Sequence, residues 1–489
     1  MRHTVRFLLG DDLIEIENPD PTETVLNWLR LRAGRPGTKE GCAEGDCGAC
    51  TVVVARPDRQ GGGRGGLSYR AINPCIQFLP TLDGGQLLTV EDLSAPDAPL
   101  HGVQQAMVDH HGSQCGFCTP GVVMSLFAAT KNKAQSRDDL KRALAGNLCR
   151  CTGYGPILTA GEAILTAPAN DDFDTGAGEV SARLLALDDG ETVALKAGAK
   201  RYFSPVSLAE LDALLAREPH AHIIAGLTDV GLWVTKQGRR LETLIFLGRV
   251  AELAHVAETD GVLDIAAGVT LNEATPYLAD FSPGLGELLR RFASNQIRNC
   301  ATVCGNIANG SPIGDLPPAL IALKAELVLR RNGKRRTVAL EDFFIDYGRQ
   351  DRAPGELVET VRIPRPGPEW KFRCYKISKR FEQDISAVMA AFAVRVTDGG
   401  VAQVRLAYGG MAGVPKRAAE AEAALTGKPF TEANIQLAMA ALALDFAPLD
   451  DMRASAAYRL AVARNLLLKF FHEVETPGLT ISVEAMAHG

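Results

Sequence analysis

The residues with the most chemistry in this 489-residue chain are its cysteines, eleven in all and eight of them before residue 152. Four of the eight form two tight pairs, Cys115-x2-Cys118 and Cys149-x-Cys151, separated by 30 residues. Pairs this close cannot usefully bridge each other across a domain. Brought together, however, they make a four-sulfur cage suited to zinc or to an iron–sulfur cluster.

A second set upstream bears on that choice: Cys42-x4-Cys47-x2-Cys50, with Cys75 after a further 24 residues. This is the plant-type ferredoxin spacing, in which one loop wraps three thiolates around a [2Fe–2S] cluster and another segment supplies the fourth. The alternative, a structural zinc loop, usually uses two Cys-x2-Cys hairpins, which this set lacks. Gly41, Gly45 and Gly48 suit a loop that needs unusual φ values and backbone N–H groups close to sulfur. A cluster here favours a cluster in the other set, since electron-transfer centres work in chains.

The surrounding pattern supplies elements to position these thiols. Residues 4–9 and 13–16 read as a hairpin, and Thr22 as the cap of a helix with Val25, Leu26, Trp28 and Leu29 facing inward. The cysteine loop and a strand at 51–55 follow, which is a β-grasp order. A formal Gly-x-Gly-x-x-Gly at 61–66 precedes strand-like residues 67–71 rather than a helix. It therefore reads as a surface insertion and not as a dinucleotide fingerprint. From Gly102 the pattern turns helical. Thr119 and Pro120 read as N-cap and first helical position, Ser136 caps a second helix that ends at Gly146, and Pro156 opens a third. Each cysteine pair thus precedes a helix start, where free N–H groups and the positive dipole end favour a negatively charged cluster.

Residues 167–178, acidic and Gly/Pro-bearing, read as a linker. Beyond it α/β alternation begins, with a buried strand at 222–226 running into 227–231, and helices at 207–216 and 286–292. A Gly/Asn-rich loop at 302–312 leads to Asp315. A strand followed by a Gly-rich turn with Thr and Asp offers a phosphate-bearing cofactor close backbone approach and N–H and hydroxyl donors. Each such loop taken singly also reads as an ordinary turn. Strands recur from Tyr375, and helices dominate after Pro415. Cys300, Cys304 and Cys374 read as small buried hydrophobes. His110, His111, His220 and His222 lack thiol partners nearby. Lys376, Lys379 and Arg380 ahead of Glu382 and Asp384 fit either a solvated face or an anion site. No nucleophile–base pair stands out, so the chain reads as a carrier of redox centres.

The composition is 46% hydrophobic and 22% charged, with net charge −6. That argues against nucleic-acid and membrane-surface partners. No apolar run reaches the roughly 18 residues needed to cross a bilayer, and residues 1–10 lack a signal-like core. A cytoplasmic protein of three or four domains is expected, its cysteines serving as metal ligands.

Residues 41–50, 114–121 (Gln-Cys-Gly-Phe-Cys-Thr-Pro-Gly) and 147–154 together resemble the iron–sulfur and flavin portion of the molybdenum hydroxylase family, the xanthine dehydrogenases in particular. The resemblance runs over nearly the whole chain in family order. It implies a multidomain α+β protein: a β-grasp ferredoxin-like domain at 1–83, a helical [2Fe–2S] domain at 84–166 and a linker at 167–195. A two-part α/β FAD-binding domain at 196–370 and a C-terminal α+β flavoprotein domain at 371–489 complete it. By the resemblance, Cys42, Cys47, Cys50 and Cys75 hold one [2Fe–2S] cluster. Cys115, Cys118, Cys149 and Cys151 hold a second, closer to the molybdopterin of a partner, with Gln114 as a pterin contact. Ile223, Ile224, Ala225, Gly226, Leu227, Thr228, Asp229 and Val230 would lie along the FAD pyrophosphate and adenosine, and Phe292 beside the flavin. Thr302, Gly305, Asn306 and Asp315 form the second FAD loop, and Val358 (or its neighbour Leu357) and Lys376 match later contacts. Cys304 stands where the family commonly has a second glycine, and Leu227 where it has asparagine.

The implied activity is electron transfer within an NAD-dependent xanthine dehydrogenase, with no catalytic residue on this chain. Hypoxanthine and xanthine would be oxidised to urate at the partner's molybdopterin, with electrons crossing both clusters to FAD and then NAD+. The molybdopterin domain would be a separate large chain in a heterotetramer of two small and two large chains. The alternatives are the same role in an aldehyde or N-heterocycle hydroxylase and, in another class, a non-enzymatic zinc-stapled interaction protein. Carbon monoxide dehydrogenase-like relatives usually separate clusters and flavin, and their fusion here weighs against that reading.

Overall fold

A computed structural model describes residues 1–58, 66–166, 171–476, 478–479 and 481. The insertion at 61–65 falls outside the described residues. The chain forms two compact units, Met1–Ala254 with Thr270–Asn272 and Ala293–Thr302, and His255–Val269 with Glu273–Phe292 and Val303–Gly489.

The first unit opens with the expected hairpin, Thr4–Leu9 against Asp12–Glu17. Gln86–Leu88 joins Thr4–Leu9 in parallel, and Val52–Pro57 and Leu67–Ile72 complete a five-stranded sheet. The helix Val25–Leu31 buries Val25, Leu26, Trp28 and Leu29. The edge of the Trp28 ring meets Phe7 with centroids 5.3 Å apart. Its cap is Thr24, not Thr22. Thr24 has the extended backbone that lets its hydroxyl accept the Asn27 N–H at 3.2 Å, whereas Thr22 donates to the Asp20 carboxylate.

Helices Gly102–Asp109, Thr119–Lys131, Arg137–Leu144 and Gly155–Thr166 follow. Ser136 caps its helix with a reciprocal box to Asp139, as its sequence implies. Thr119 does not cap. Cys118 holds the cap position, and the Thr119 hydroxyl bonds to Ser113. Residues 167–170 of the expected linker fall outside the described residues, and from residue 171 it forms the helices Asp172–Thr175 and Ala177–Leu187. Its apolar residues Ala177 and Leu184 join the core of the sheet, which overrides its Gly and Asp content. Asp171 and Asp174 both bind the buried Lys131 ammonium, the latter at 3.0 Å, and His101 bonds Asp171 at 2.9 Å. A four-stranded sheet then places Val193–Ala197, Lys200–Ser204, Thr243–Phe246 and His222–Ile224 side by side in that order. The last strand stops at Ile224, its only buried residue, so the expected buried run to 226 is shorter than its apolar sequence implies.

In the second unit, strands Val256–Thr259, Val262–Ala266, Leu357–Pro364, Glu326–Arg331 and Lys334–Ala339 form an antiparallel sheet. A second sheet is built chiefly from Trp370–Ile377, Val388–Thr397 and Gly400–Gly409. Its inner face, Tyr375, Phe392 and Tyr408, packs with Phe470 and Leu467 of the helix Ala456–Glu475. The loop expected at 302–312 is instead mostly the helix Val303–Asn309. Burial of Val303, Cys304 and Ile307 outweighs the weak helix propensity of Gly305 and Asn306. Cys304 is helical with φ outside the left-handed region, so its Cβ costs nothing there. The architecture is the multidomain α+β arrangement expected of the sequence. Among the described residues no helix is long and apolar enough to cross a membrane.

Candidate iron–sulfur and flavin sites

The loop carrying Cys42, Cys47 and Cys50 turns through left-handed backbone at Ala43, Gly45 and Gly48. A side chain at Gly41 would place its Cβ 2.8 Å from the Cys47 sulfur. The Glu44 and Cys47 N–H groups both donate to the Cys42 sulfur at 3.4 Å. Asn73 ties Cys75's segment to the loop, its amide donating to the Gly45 carbonyl at 2.7 Å. The Cys42 thiol is within hydrogen-bond reach of Cys47 and Cys75, and Cys75 within reach of Cys50. Hydrogen bonds from Cys47 and Cys75 hold Cys42 far below the ordinary thiol range, and the same contacts push those two far above it. Among Cys42, Cys47 and Cys75, ionising Cys42 therefore opposes ionising the other two. A cationic metal core would reverse that, because a coordinating thiol is deprotonated outright. Among the described residues no three His, Cys, Asp or Glu side chains are gathered to hold a single ion. A two-iron cluster takes four thiols, two at each iron, which is the number this set supplies.

The second set stands ahead of two helices, Thr119–Lys131 and Gly155–Thr166. Its thiols meet in pairs, Cys118 with Cys149 and Cys115 with Cys151. Burial and then Cys149 push Cys118 up to about 12. Burial opposes ionisation of Cys149, but the Thr152 hydroxyl and the Thr152 and Cys151 amides more than offset it and hold Cys149 low. The Cys149 N–H donates to the Tyr154 hydroxyl at 2.9 Å, which accounts for a tyrosine held at positive φ. Cys115, Cys151 and Gln114 are exposed, as are the apolar side chains of Phe117 and Leu148.

The two cysteine segments touch, which spacing along the chain did not reveal. The Leu148 N–H donates to the Cys47 carbonyl at 2.9 Å. Asn147 donates to the Gly48 carbonyl at 3.1 Å, and Gln296 donates to Asn147 at 3.0 Å. The glycines beside the cysteines were the signal: Gly48, Gly121 and Gly146 each leave no room for a Cβ.

Of the residues expected to hold FAD, Ile223, Ile224, Ala225, Gly226, Leu227, Thr228, Asp229, Val230 and Thr302 lie in the first unit. There the Gly226 Cα faces the backbone of residues 300–301, so that a Cβ would sit 2.2 Å from the Cys300 carbonyl oxygen. Leu227 is buried at φ +62°. Phe292, Gly305, Asn306, Asp315, Val358 and Lys376 lie in the second unit. Within it the structure brings together Asp315 and Lys376, whose ammonium lies 2.6 Å from the carboxylate. It adds Ser386, unforeseen in the sequence, which accepts from Lys376 at 2.8 Å and donates to Asp315 at 2.5 Å. Leu357 and Val358 are buried strand residues, and Phe292 follows the helix Pro283–Arg291. The Asn306 side-chain oxygen is buried without a hydrogen-bond partner among the described residues. An orphaned acceptor of this kind fits a site completed by a ligand donor, as a flavin ring or ribose hydroxyl would supply.

Two four-thiol groups whose segments share a backbone hydrogen bond, followed by one mixed and two larger antiparallel sheets, fit the class of electron-transfer iron–sulfur flavoproteins. Comparison with known proteins narrows that class. Residues 9–68 match a 2Fe-2S iron-sulfur cluster binding domain and residues 89–162 a [2Fe-2S] binding domain. Residues 196–366 match the FAD binding domain in molybdopterin dehydrogenase, and residues 373–474 the CO dehydrogenase flavoprotein C-terminal domain. The chain is 34% identical to the xanthine dehydrogenase of Emericella nidulans over 96% of its own length, and it spans 38% of that relative. A solved carbon monoxide dehydrogenase from Hydrogenophaga pseudoflava, lacking the Mo-pyranopterin moiety of its molybdenum cofactor, is 30% identical with a TM-score of 0.52. The match covers 55% of this chain and 94% of that one. Quinoline 2-oxidoreductase from Pseudomonas putida 86 is 27% identical with the same TM-score, covering 57% and 98%. The protein belongs to the molybdenum hydroxylase family, as an iron–sulfur and FAD-binding chain with an electron-transfer role.

Proposed function

We propose that this chain is the electron-transfer part of an NAD-dependent xanthine dehydrogenase. Cys42, Cys47, Cys50 and Cys75 hold one [2Fe–2S] cluster, and Cys115, Cys118, Cys149 and Cys151 the other. The division into domains at 1–83, 84–166, 196–370 and 371–489 belongs to the same proposal. When bound, the clusters and FAD supply one-electron relay and hydride exchange with NAD+, and the purine chemistry belongs to a molybdopterin-bearing partner. The residues of this chain hold, space and tune those groups. The observation that carries the reading is the Leu148 to Cys47 hydrogen bond, which sets the two thiol groups in series. Exposed Cys115, Cys151, Phe117 and Gln114 support a partner seated against the second set, with Gln114 contacting its pterin. Exposed apolar side chains beside a redox site fit a docking face. The purine substrate is supported by the 34% identity to a xanthine dehydrogenase. A two-small, two-large heterotetramer in the cytoplasm is the assembly proposed.

In the flavin portion, the loop 223–230 and Thr302 approach the pyrophosphate, Asn306 offers its unpaired oxygen, and the Asp315–Lys376–Ser386 triad anchors the second FAD segment. Phe292, Gly305 and Val358 are the remaining contacts. Purified chain should be brown, hold two clusters and one FAD, and have that FAD reduced by NADH. Failure of NADH to reduce fully loaded FAD would count against a dehydrogenase. Zinc without iron or acid-labile sulfide would support the interaction-protein alternative. The likeness to quinoline 2-oxidoreductase favours, as a second reading, the same role with an N-heterocycle substrate. Turnover of xanthine against quinoline by the chain with its partner decides between the two.

A further inference from the structure

The helix Val230–Thr235 begins where the expected FAD-contacting segment ends, and Lys236 closes it, its N–H donating to the Leu232 carbonyl at 2.9 Å. The Lys236 ammonium donates to the Cys42 carbonyl at 2.5 Å. It lies 3.4 Å from the Glu44 carboxylate. Two further contacts join the same stretch to the segment of Cys75. Gln77 donates its amide to the Gly226 carbonyl at 3.1 Å. Gly231 sits flush on the backbone of Ile76, where a Cβ would come within 2.3 Å of the carbonyl oxygen. One segment, 226–236, therefore rests on residues at or next to two of the four expected ligands.

Building on the reading that these thiols hold a cluster, we infer that Lys236 positions the Cys42 loop and raises the reduction potential of that cluster. Glu44 acts in the opposite sense. Reduction adds one negative charge to the cluster, and a cation bonded to a ligand's own carbonyl stabilises the reduced form, whereas a carboxylate destabilises it. Lys236 and Glu44 are 43% and 46% exposed, so water and salt moderate both effects. Because Lys236 is carried by the helix that follows the flavin segment, the flavin-binding portion of the chain sets the affinity of this cluster for electrons. Removing the lysine also leaves Glu44 unopposed, which adds to the shift.

The test is an anaerobic redox titration of the full chain followed by electron paramagnetic resonance, on wild type, Lys236→Met, Lys236→Arg and Glu44→Gln. Iron and sulfide are measured first. Lys236→Met is expected to move one cluster signal to lower potential and leave the other in place. Lys236→Arg should stay near wild type, and Glu44→Gln should move the same signal upward. The separation between wild type and Lys236→Met should narrow as potassium chloride is added. The inference is overturned if Lys236→Met moves neither signal or both equally, or if Glu44→Gln shifts in the same direction as Lys236→Met. Wild-type protein without two cluster signals would instead remove the cluster reading, and this inference with it.

Discussion

Gly48 and Gly146 approach so closely that a Cβ on Gly48 would lie 2.0 Å from the Gly146 carbonyl oxygen. Gly48 follows Cys47, and Gly146 stands three residues before Cys149, so the contact holds the two cysteine segments together. Covalent bonds and the single Leu148 to Cys47 hydrogen bond then make a short route between their sulfurs.

Gly48→Ala should break this contact. The new Cβ meets backbone, which cannot swing aside, and Gly48 has φ +67°. Overpacking and left-handed strain together cost about 3 kcal/mol. Both cluster absorbances should bleach at lower temperature in a thermal ramp followed in the visible range.

Cys115→Ser should remove one cluster and spare the other, because its thiol pairs with Cys151 and not with the first set. Iron should fall from about four to about two atoms per chain. Loss of both resonance signals together would argue against two separate cages.

Asp315→Asn should strand the Lys376 ammonium, buried beside Ser386. Breaking a buried pair by removing one partner costs about 3–5 kcal/mol. The FAD-to-protein ratio after gel filtration should drop, and the Asp315→Asn, Lys376→Met double variant should recover part of the thermal stability.

Leu227 sets two effects against each other. Left-handed backbone costs a leucine about 1–2 kcal/mol, which asparagine largely avoids. Leucine at 3% exposure contributes about 2–3 kcal/mol by burial, which asparagine forfeits, and an amide placed there also needs partners. Burial wins, so Leu227→Asn should lower the melting temperature by calorimetry.

The anchor at Asp171 should be acid-labile. Burial alone would raise its carboxyl, but hydrogen bonds from His101 and Lys131 and the Lys131 charge hold it well below the usual range. A depressed carboxylate contributes stability above its unfolded value, near about 4, and loses it as pH falls further toward the folded value. Limited proteolysis within residues 171–187 should accelerate as pH drops below about 4, and Asp171→Asn should be cut readily there at pH 7.

Local chemistry decided what could be read in one dimension. The ferredoxin spacing of Cys42, Cys47 and Cys50, the capping box at Ser136 and the apolar face of Val25–Leu31 depend on residues within a turn or two of each other. That Thr24 rather than Thr22 caps its helix, and that residues 303–309 wind into a helix, turned on backbone angles and burial set by distant neighbours. Four relationships have partners scores of residues apart: Gly48 on Gly146, Lys236 on Cys42, Ser386 beside Asp315, and the docking of 171–187 through Lys131. The sequence by itself determined which side chains could bind metal and that they fall into two sets. Only the tertiary structure decided that the two sets share a backbone hydrogen bond and that a lysine from another segment lies against the first. Ligand type and spacing are covalent properties of the chain, whereas contacts between distant segments exist only after folding buries their apolar faces.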